Sequence, residues 1–317
     1  MRVSIIICTY NRSKLLLKCL LSLINEQNNF SDYEILVIDN ASSDNTESVV
    51  NDLKYKSSKI KYFLEPNIGL SYARNRGILE SKSDWVLFID DDAIAFPDLI
   101  DRALHLIERG NYECIGGKYF GYFLGEKPKW LANDFESYKG DEVELMDCEY
   151  SKPIGCIVLY KKNKILEVGG FNTQLGMKGK NIAYSEETEI QLKMKLIGCK
   201  FGFDPNLKVY HLIRDDKKKL IWHLKSSFAH GRDSYFNKFD WSLSFILLKN
   251  LLSLFSLLFR RLPYNLFKLI IKNNYYWQNL IIDSLHGNLY YFGLLVSYRK
   301  NAKTYLASYK TQKIHLS

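Results

Sequence analysis

WVLFIDDDAI, residues 85–94, runs five apolar residues into three consecutive aspartates, Asp90, Asp91 and Asp92. Adjacent carboxylates repel one another, and each resists losing its water. A surface turn needs one Asp as a cap, not three. A buried strand that ends this way requires plentiful solvent or a cation at its tip.

The stretches around it say what kind of strand this is. VSIIIC (3–8), YEILVID (33–39) and IKYFLE (60–65) are apolar runs of the same length. Helical patterns separate them: Ser13 can cap a helix carrying LLLKCLLSLI, and a second helix follows the Asp44–Asn45 turn. ARNRGILE continues a third after Pro66, Asn67 and Gly69, and Pro97 opens DLIDRALHLIE. Alternation at this spacing, with nearly all-apolar strands, predicts an α/β domain whose parallel sheet is covered on both faces. In open α/β sheets, ligands bind outside the carboxyl ends of the strands, where the strand order reverses. Those ends carry Thr9, Tyr10 and Asn11, then Asp39 and Asn40, then Asp90 to Asp92. No G-x-G-x-x-G follows the first strand, which argues against the usual dinucleotide fold.

Residues 110–211 are less regular. GCIVLYKK (155–162) reads as a strand and GGF (169–171) as a turn. SEETEIQLKMKLIG (185–198) reads as a helix opened by Ser185, its acidic first turn suited to the helix dipole. KFGFD and KVYH read as two short strands.

Charge divides the chain. The net charge is +9, yet residues 214–317 hold 17 Lys and Arg against 5 Asp and Glu. Residues 1–213 are slightly acidic, so a nucleic-acid footprint on the main domain is not expected. An anionic membrane surface under the tail is the better match. WSLSFILLKNLLSLFSLLF (241–259) has 19 residues, interrupted by Lys249 and Asn250 and bounded by Arg260, Arg261 and Pro263. A spanning helix needs about 20 predominantly apolar residues. Interleaved Lys and aromatic residues suggest helices lying in the membrane interface, and a packed helical subdomain is the alternative. Six cysteines without a CxxC pair, and a start that lacks an apolar leader, predict a reduced, cytosolic setting on the inner face of the membrane.

VSIIICTYNR, ILVIDNASSDNT, EPNIGLSYARNRGI, FIDDDAI, GGFNTQLGMKGKNIAYSEETEIQLKMKLIG and VYH, taken in order, resemble the inverting nucleotide-sugar glycosyltransferases of family 2. The resemblance spans about residues 3–211. It implies the GT-A fold, a Rossmann-like, mostly parallel mixed sheet, for residues 1–213, with a nucleotide-binding half (1–109) and an acceptor half (110–213). The nucleotide-sugar contacts it implies are Thr9, Tyr10, Asp39, Arg74, Asp90 and Asp91, with Asp39 accepting from the base ring N–H. The metal ligands it implies are Asp92, Asp90 and His211. A hard cation, Mn²⁺ or Mg²⁺, prefers oxygen ligands and neutralises a departing diphosphate. An inverting displacement needs a base opposite the leaving group, and the family's acidic pair corresponds to Glu186 and Glu187, with Glu187 in the base position although the family usually has Asp there. The implied reaction moves a sugar from a UDP- or dTDP-sugar to a hydroxyl of a lipid-linked or polysaccharide acceptor. A sugar nucleotidyltransferase is a rival, as is a non-catalytic nucleotide-sugar-binding membrane protein, but CTYNRSK lacks the glycine-rich loop of the former. Trp130 could stack on a sugar or fill the core, and His230 and Arg232 in AHGRDSYF could meet phosphate or solvent.

Overall fold

The computed structural model describes residues 2–24, 32–137, 146–149, 156–179, 181–235 and 241–301. Gly155, Phe236 and the tail beyond residue 301, all part of the expectations above, lie outside these. The chain divides into two compact units: residues 1–125, 133–181 and 186–213 form the first, and residues 126–132, 182–185 and 214–317 form the second.

The first unit begins with β1 (Val3–Thr9), α1 (Ser13–Ile24), β2 (Tyr33–Asp39), α2 (Thr46–Lys54), β3 (Ile60–Leu64), α3 (Leu70–Glu80) and β4 (Trp85–Ile89). It continues with β5 (Ala93–Ala95), α4 (Leu99–Arg109), β6 (Cys114–Phe123), β7 (Met146–Asp147), β8 (Ile157–Lys161), α5 (Lys162–Glu167), α6 (Glu186–Leu196) and β9 (Phe201–Ile213). The sheet order is β3-β2-β1-β4-β8-β6-β9-β5, with β7 beside β9. The half containing β3, β2, β1 and β4 is wholly parallel. β8 then runs antiparallel to β4 and β6, and β5 antiparallel to β9. Side chains alternate across β1: Val3, Ile5 and Ile7 pack with α1, α2 and α4, while Ile6 faces α3, α5 and α6. Both faces are covered, as the unbroken apolar strands require, and each fully buried Ile or Leu contributes roughly 1.5–3 kcal/mol.

Strand order reverses between β1 and β4, so the crevice expected of an open α/β sheet lies where Thr9, Asp39 and Asp90 end their strands.

Two local readings need correcting. KFGFD and KVYH are parts of one strand, β9, not two. Pro205 and Asn206 read as a break, but Asp204 carries the chain through them. Its Oδ1 accepts from the backbone N–H of Asn206 (2.9 Å) and of Leu207 (3.1 Å). Its carboxylate also takes two bonds from Arg102 of α4, Nε at 3.0 Å and Nη2 at 2.6 Å. The register against β6 slips at Gly117–Lys118, where a Cβ on Gly117 would stand 2.2 Å from the Leu207 carbonyl oxygen. The helix expected to open at Ser185 begins at Glu186, and Ser185 has φ 76°, outside the extended region an N-cap adopts.

The second unit contains α7 (Leu220–Ser234), α8 (Leu243–Ser256), α9 (Leu262–Ile271) and α10 (Trp277–Asn301). A π-helical turn, Leu257–Arg261, joins α8 to α9 without a break. The helix therefore continues past Pro263 to Ile271, because the widened turn gives room for a residue that lacks an N–H. α7 and α10 cross at glycines: a Cβ on Gly231 would stand 1.8 Å from the Tyr290 carbonyl oxygen, and one on Gly293 2.1 Å from that of Phe228. Tyr235, Ile246 and Leu294 form a small apolar core here, yet several polar groups also face inward. Asn265, Ser253 and Ser284 are buried, and Arg261 donates inward to Ser253 Oγ at 2.9 Å and Asn288 Oδ1 at 2.6 Å. Leu251, Phe255, Phe259, Phe267 and Ile270 are exposed, Ile270 by 83%. The 29-residue helix Leu243–Ile271 is long and apolar enough to cross a membrane by length and composition. Arg232 pairs with Asp233 and donates to the Ile182 carbonyl, His230 stacks on Tyr184, and Trp130 packs edge-on against His223.

The Arg102–Asp204 pair should be a stability determinant of the first unit. Asp204→Ala leaves a mostly buried guanidinium and two backbone N–H groups without their acceptor, and should cost about 3–5 kcal/mol. Urea unfolding followed by tryptophan fluorescence checks this, and a loss under about 1 kcal/mol would show that water replaces the carboxylate.

Candidate active site

β4 delivers the three aspartates into the crevice, and each meets a different partner. Asp91 is buried: its Oδ2 accepts from Thr9 Oγ1 at 2.8 Å and its Oδ1 from Arg12 Nη1 at 2.8 Å. Arg12 lies three residues beyond the end of β1 and reaches Asp92 Oδ2 as well, at 3.5 Å. Asp92 Oδ1 lies 3.2 Å from His211 Nε2, and Asp90 Oδ2 lies 3.7 Å from the same nitrogen. Backbone pairing fixes this approach, because Ala93 is in register with His211 and the Leu212 N–H donates to the Asp92 carbonyl at 3.1 Å. On its other side, His211 Nδ1 faces Glu136 Oε2 at 3.5 Å. Glu136 has φ 51°, a left-handed conformation unusual for a residue with a Cβ.

Electrostatics follow from the crowding. Burial and the neighbouring Asp92 carboxylate push Asp90 up to about 6. Burial also pushes Asp91 up, against the opposing pull of Arg12. A group of donors that resists ionisation in this way is suited to a divalent cation. Asp90, Asp92 and His211 fit one: two carboxylates and an imidazole converge within a few ångströms, and carboxylate oxygens suit a hard ion. The Cys156 thiol joins this group, with its sulfur and the ligand atoms of Asp90 and His211 within 4.8 Å of one another.

Asp39 ends β2 and is buried. Its Oδ1 accepts from the Ser42 N–H at 2.9 Å and its Oδ2 from the Tyr62 hydroxyl at 2.9 Å. Tyr10, half-buried, lies beside Gly179.

Glu186 and Glu187 start α6, and both meet Arg74 of α3. Arg74 Nη1 donates to Glu186 Oε1 at 3.0 Å and its Nη2 to Glu187 Oε1. Glu186 is enclosed: Gly176, at φ 81°, passes so close that a Cβ there would stand 3.2 Å from the Glu186 carboxyl carbon. Burial and the Glu187 carboxylate push Glu186 up to about 7. Glu187 is more open, at 20% side-chain exposure against 9%.

The residues expected to meet the nucleotide-sugar and metal or to act as base are thus placed at the carboxyl ends of β1, β2 and β4 or on α3, α6 and β9, whereas Trp130, His230 and Arg232 belong to the second unit. Arg12, Tyr62, Glu136 and Cys156 were not singled out from the sequence. Arg12 was readable, as a cation just past a strand that faces an acidic run. Glu136 and Cys156 carry no local pattern that would have marked them.

A family model described as glycosyl transferase family 2 matches residues 4–167. A glucosyl-dolichyl phosphate glucuronosyltransferase of Haloferax volcanii is 24% identical over 242 residues, covering 73% of this chain and 75% of that protein. A GalNAc(5)-diNAcBac-PP-undecaprenol beta-1,3-glucosyltransferase of Campylobacter jejuni is 34% identical over 179 residues. That match takes in 55% of this chain and 55% of the relative. Among solved structures, a mannosyltransferase from Pyrobaculum calidifontis in complex with GDP-Man and Mn²⁺ aligns with a TM-score of 0.56 at 14% identity, covering 99% of this chain and 80% of that one. TarS 1–349 of S. aureus in complex with UDP-GlcNAc aligns with a TM-score of 0.55 at 16% identity, covering 97% and 92%. These structural likenesses establish the GT-A-like fold. With the family model matching more than half of its length, the chain belongs to glycosyl transferase family 2 and is a glycosyltransferase.

Proposed function

We propose that this enzyme transfers a sugar, with inversion, from a UDP- or dTDP-sugar to a hydroxyl of a lipid-linked or polysaccharide acceptor, with the help of Mn²⁺ or Mg²⁺. The observation that carries the reading is the convergence of Asp90 and Asp92 on His211 at the point where strand order reverses. Asp90, Asp92 and His211 would hold the cation, which when bound neutralises the charge developing on the departing diphosphate. Asp39, with Thr9 and Tyr10 nearby along β1 and its end, would receive the base and ribose, and Asp91, fixed by Thr9 and Arg12, keeps the acidic run in place. Glu187 would take the proton of the acceptor hydroxyl. Glu186 is too enclosed for that role and serves as its neighbour's support. Residues 1–109 then form the donor half and residues 110–213 the acceptor half. The named relatives act on a dolichyl phosphate-linked sugar and on an undecaprenol-linked glycan, which favours a lipid-linked acceptor here.

The second unit is suited to a membrane, because the α8–α9 stretch turns Leu251, Phe255, Phe259, Phe267 and Ile270 outward while Ser253 and Asn265 are buried. Lys249, Arg260, Lys268 and Lys272 punctuate the same helical stretch. Each basic residue near an anionic leaflet contributes about 1 kcal/mol before screening, and burial of the Leu and Phe face adds to that. Association with the inner face of the cell membrane is the arrangement this supports.

Three outcomes test the reading. Asp92→Ala should abolish the effect of Mn²⁺ on nucleoside diphosphate affinity, while Asp39→Ala weakens that affinity with the metal effect retained. Calorimetric titrations of UDP and dTDP with and without Mn²⁺ decide this, and an Asp92 variant that still responds to Mn²⁺ refutes the ligand assignment.

Glu187→Gln should leave donor binding intact and slow turnover by at least ~10²-fold, the low end for loss of a general base. Glu186→Gln should slow it less. Release of nucleoside diphosphate from a panel of UDP- and dTDP-sugars measures both, and the reverse ranking would move the base to Glu186.

The full-length chain should float with vesicles containing phosphatidylglycerol, be partly released by high salt and be fully released by detergent. Retention in the soluble fraction at low salt would make the apolar surface an interface for protein instead of lipid.

A further inference from the structure

Arg74 is held in a way that a donor-phosphate ligand would not be. Its side chain is 4% exposed, and its two terminal nitrogens are divided between Glu186 and Glu187. The guanidinium carbon lies 5.7 Å from the ring centroid of Phe88 and 5.2 Å from that of Phe171. Those two rings contact each other edge-on at 5.6 Å. Two aromatic rings therefore bracket the cation while two carboxylates take its donors. To reach a diphosphate it would have to abandon an enclosed carboxylate, and an uncompensated buried charge is strongly unfavourable.

We propose that Arg74 is a positioning residue for the base: it holds the Glu187 carboxylate in one orientation, with Glu186 as the second tether, so that the carboxylate faces the acceptor hydroxyl when it arrives. This rests on Glu187 being the base. A planar fork can bridge two carboxylates in a fixed geometry, whereas a lysine ammonium supplies charge without that geometry.

The experiment compares full-length wild type, Arg74→Lys and Arg74→Gln in detergent. Calorimetry with UDP and with dTDP, each with Mn²⁺, measures donor-side binding. Nucleoside diphosphate release from UDP-glucose, UDP-N-acetylglucosamine, UDP-N-acetylgalactosamine, UDP-glucuronate and dTDP-rhamnose gives kcat and KM. The expected result is a nucleotide Kd within ~3-fold of wild type in both variants and a donor KM that barely moves. Turnover should fall at least ~30-fold in Arg74→Gln, with Arg74→Lys recovering only part of it, because an ammonium supplies charge without the fork. A Kd raised ~30-fold or more, with kcat kept, overturns the proposal and makes Arg74 a phosphate ligand. Should the panel show no turnover, the binding arm decides alone. Should Arg74→Gln not fold, the double change Arg74→Gln with Glu186→Gln removes the surplus buried charge and takes its place. If Glu187→Gln retains full turnover, the base assignment itself has failed. If Glu187→Gln is slow while Arg74→Gln loses only nucleotide affinity, the positioning role alone has failed.

Discussion

Three carboxylates at the end of a buried strand repel one another, and the groups that relieve that repulsion come from every part of the first unit. The end of β1 supplies Thr9 and the following loop supplies Arg12, which together hold Asp91. β9 supplies His211 to Asp90 and Asp92. β9 can do so because Asp204, held by Arg102, carries the strand past Pro205 and into register with β5. A buried ion pair at one end of β9 thus determines where an imidazole stands at the other. Few of these contacts are local in sequence, which is why the acidic run has meaning only within the complete sheet.

Two anionic centres result, each with its own arginine. Arg12 serves the aspartates of β4, and Arg74 serves the glutamates of α6. The two centres differ in their surroundings: the aspartates are shared between a guanidinium and an imidazole, whereas both glutamates meet a single guanidinium.

The parallel half of the sheet, β3 to β4, was largely legible in the sequence. Its strands are continuous apolar runs, and their ends are marked by Thr9, Asp39 and Asp90, so alternation and polarity sufficed. The remaining half was not. β6 carries Gly116, Gly117 and Gly121, which weaken a strand pattern, yet Gly117 is needed because β9 bulges against it. Pro205 imitated a strand end, and only the side chain of Asp204 shows why it is not one. Arg74 could be assigned a role by family resemblance, but which carboxylates it meets depends on how α3 and α6 lie over the sheet. Glu136 and Cys156 reach the site through long-range pairing that no local spacing records. In the second unit, the sequence displayed the apolar residues, but their outward direction emerged only from the buried serines and asparagines.

The sheet's connectivity also sets an order of assembly. β1, β2 and β3 are joined through single helical crossovers, so Val3 meets Tyr33 and Ile35 meets Ile60 across short loops, whereas β4 meets β1 only across that whole segment, Trp85 against Val3. β6 and β9 pair Cys114 with Phe201, and β5 meets His211 only through β9. Pairings across long loops pay their closure entropy before any contact repays it, and they form slowly. β1, β2 and β3 can thus pair while the chain still lacks His211 beside its aspartates. Until Ala93 pairs with His211, the three carboxylates stand without their imidazole.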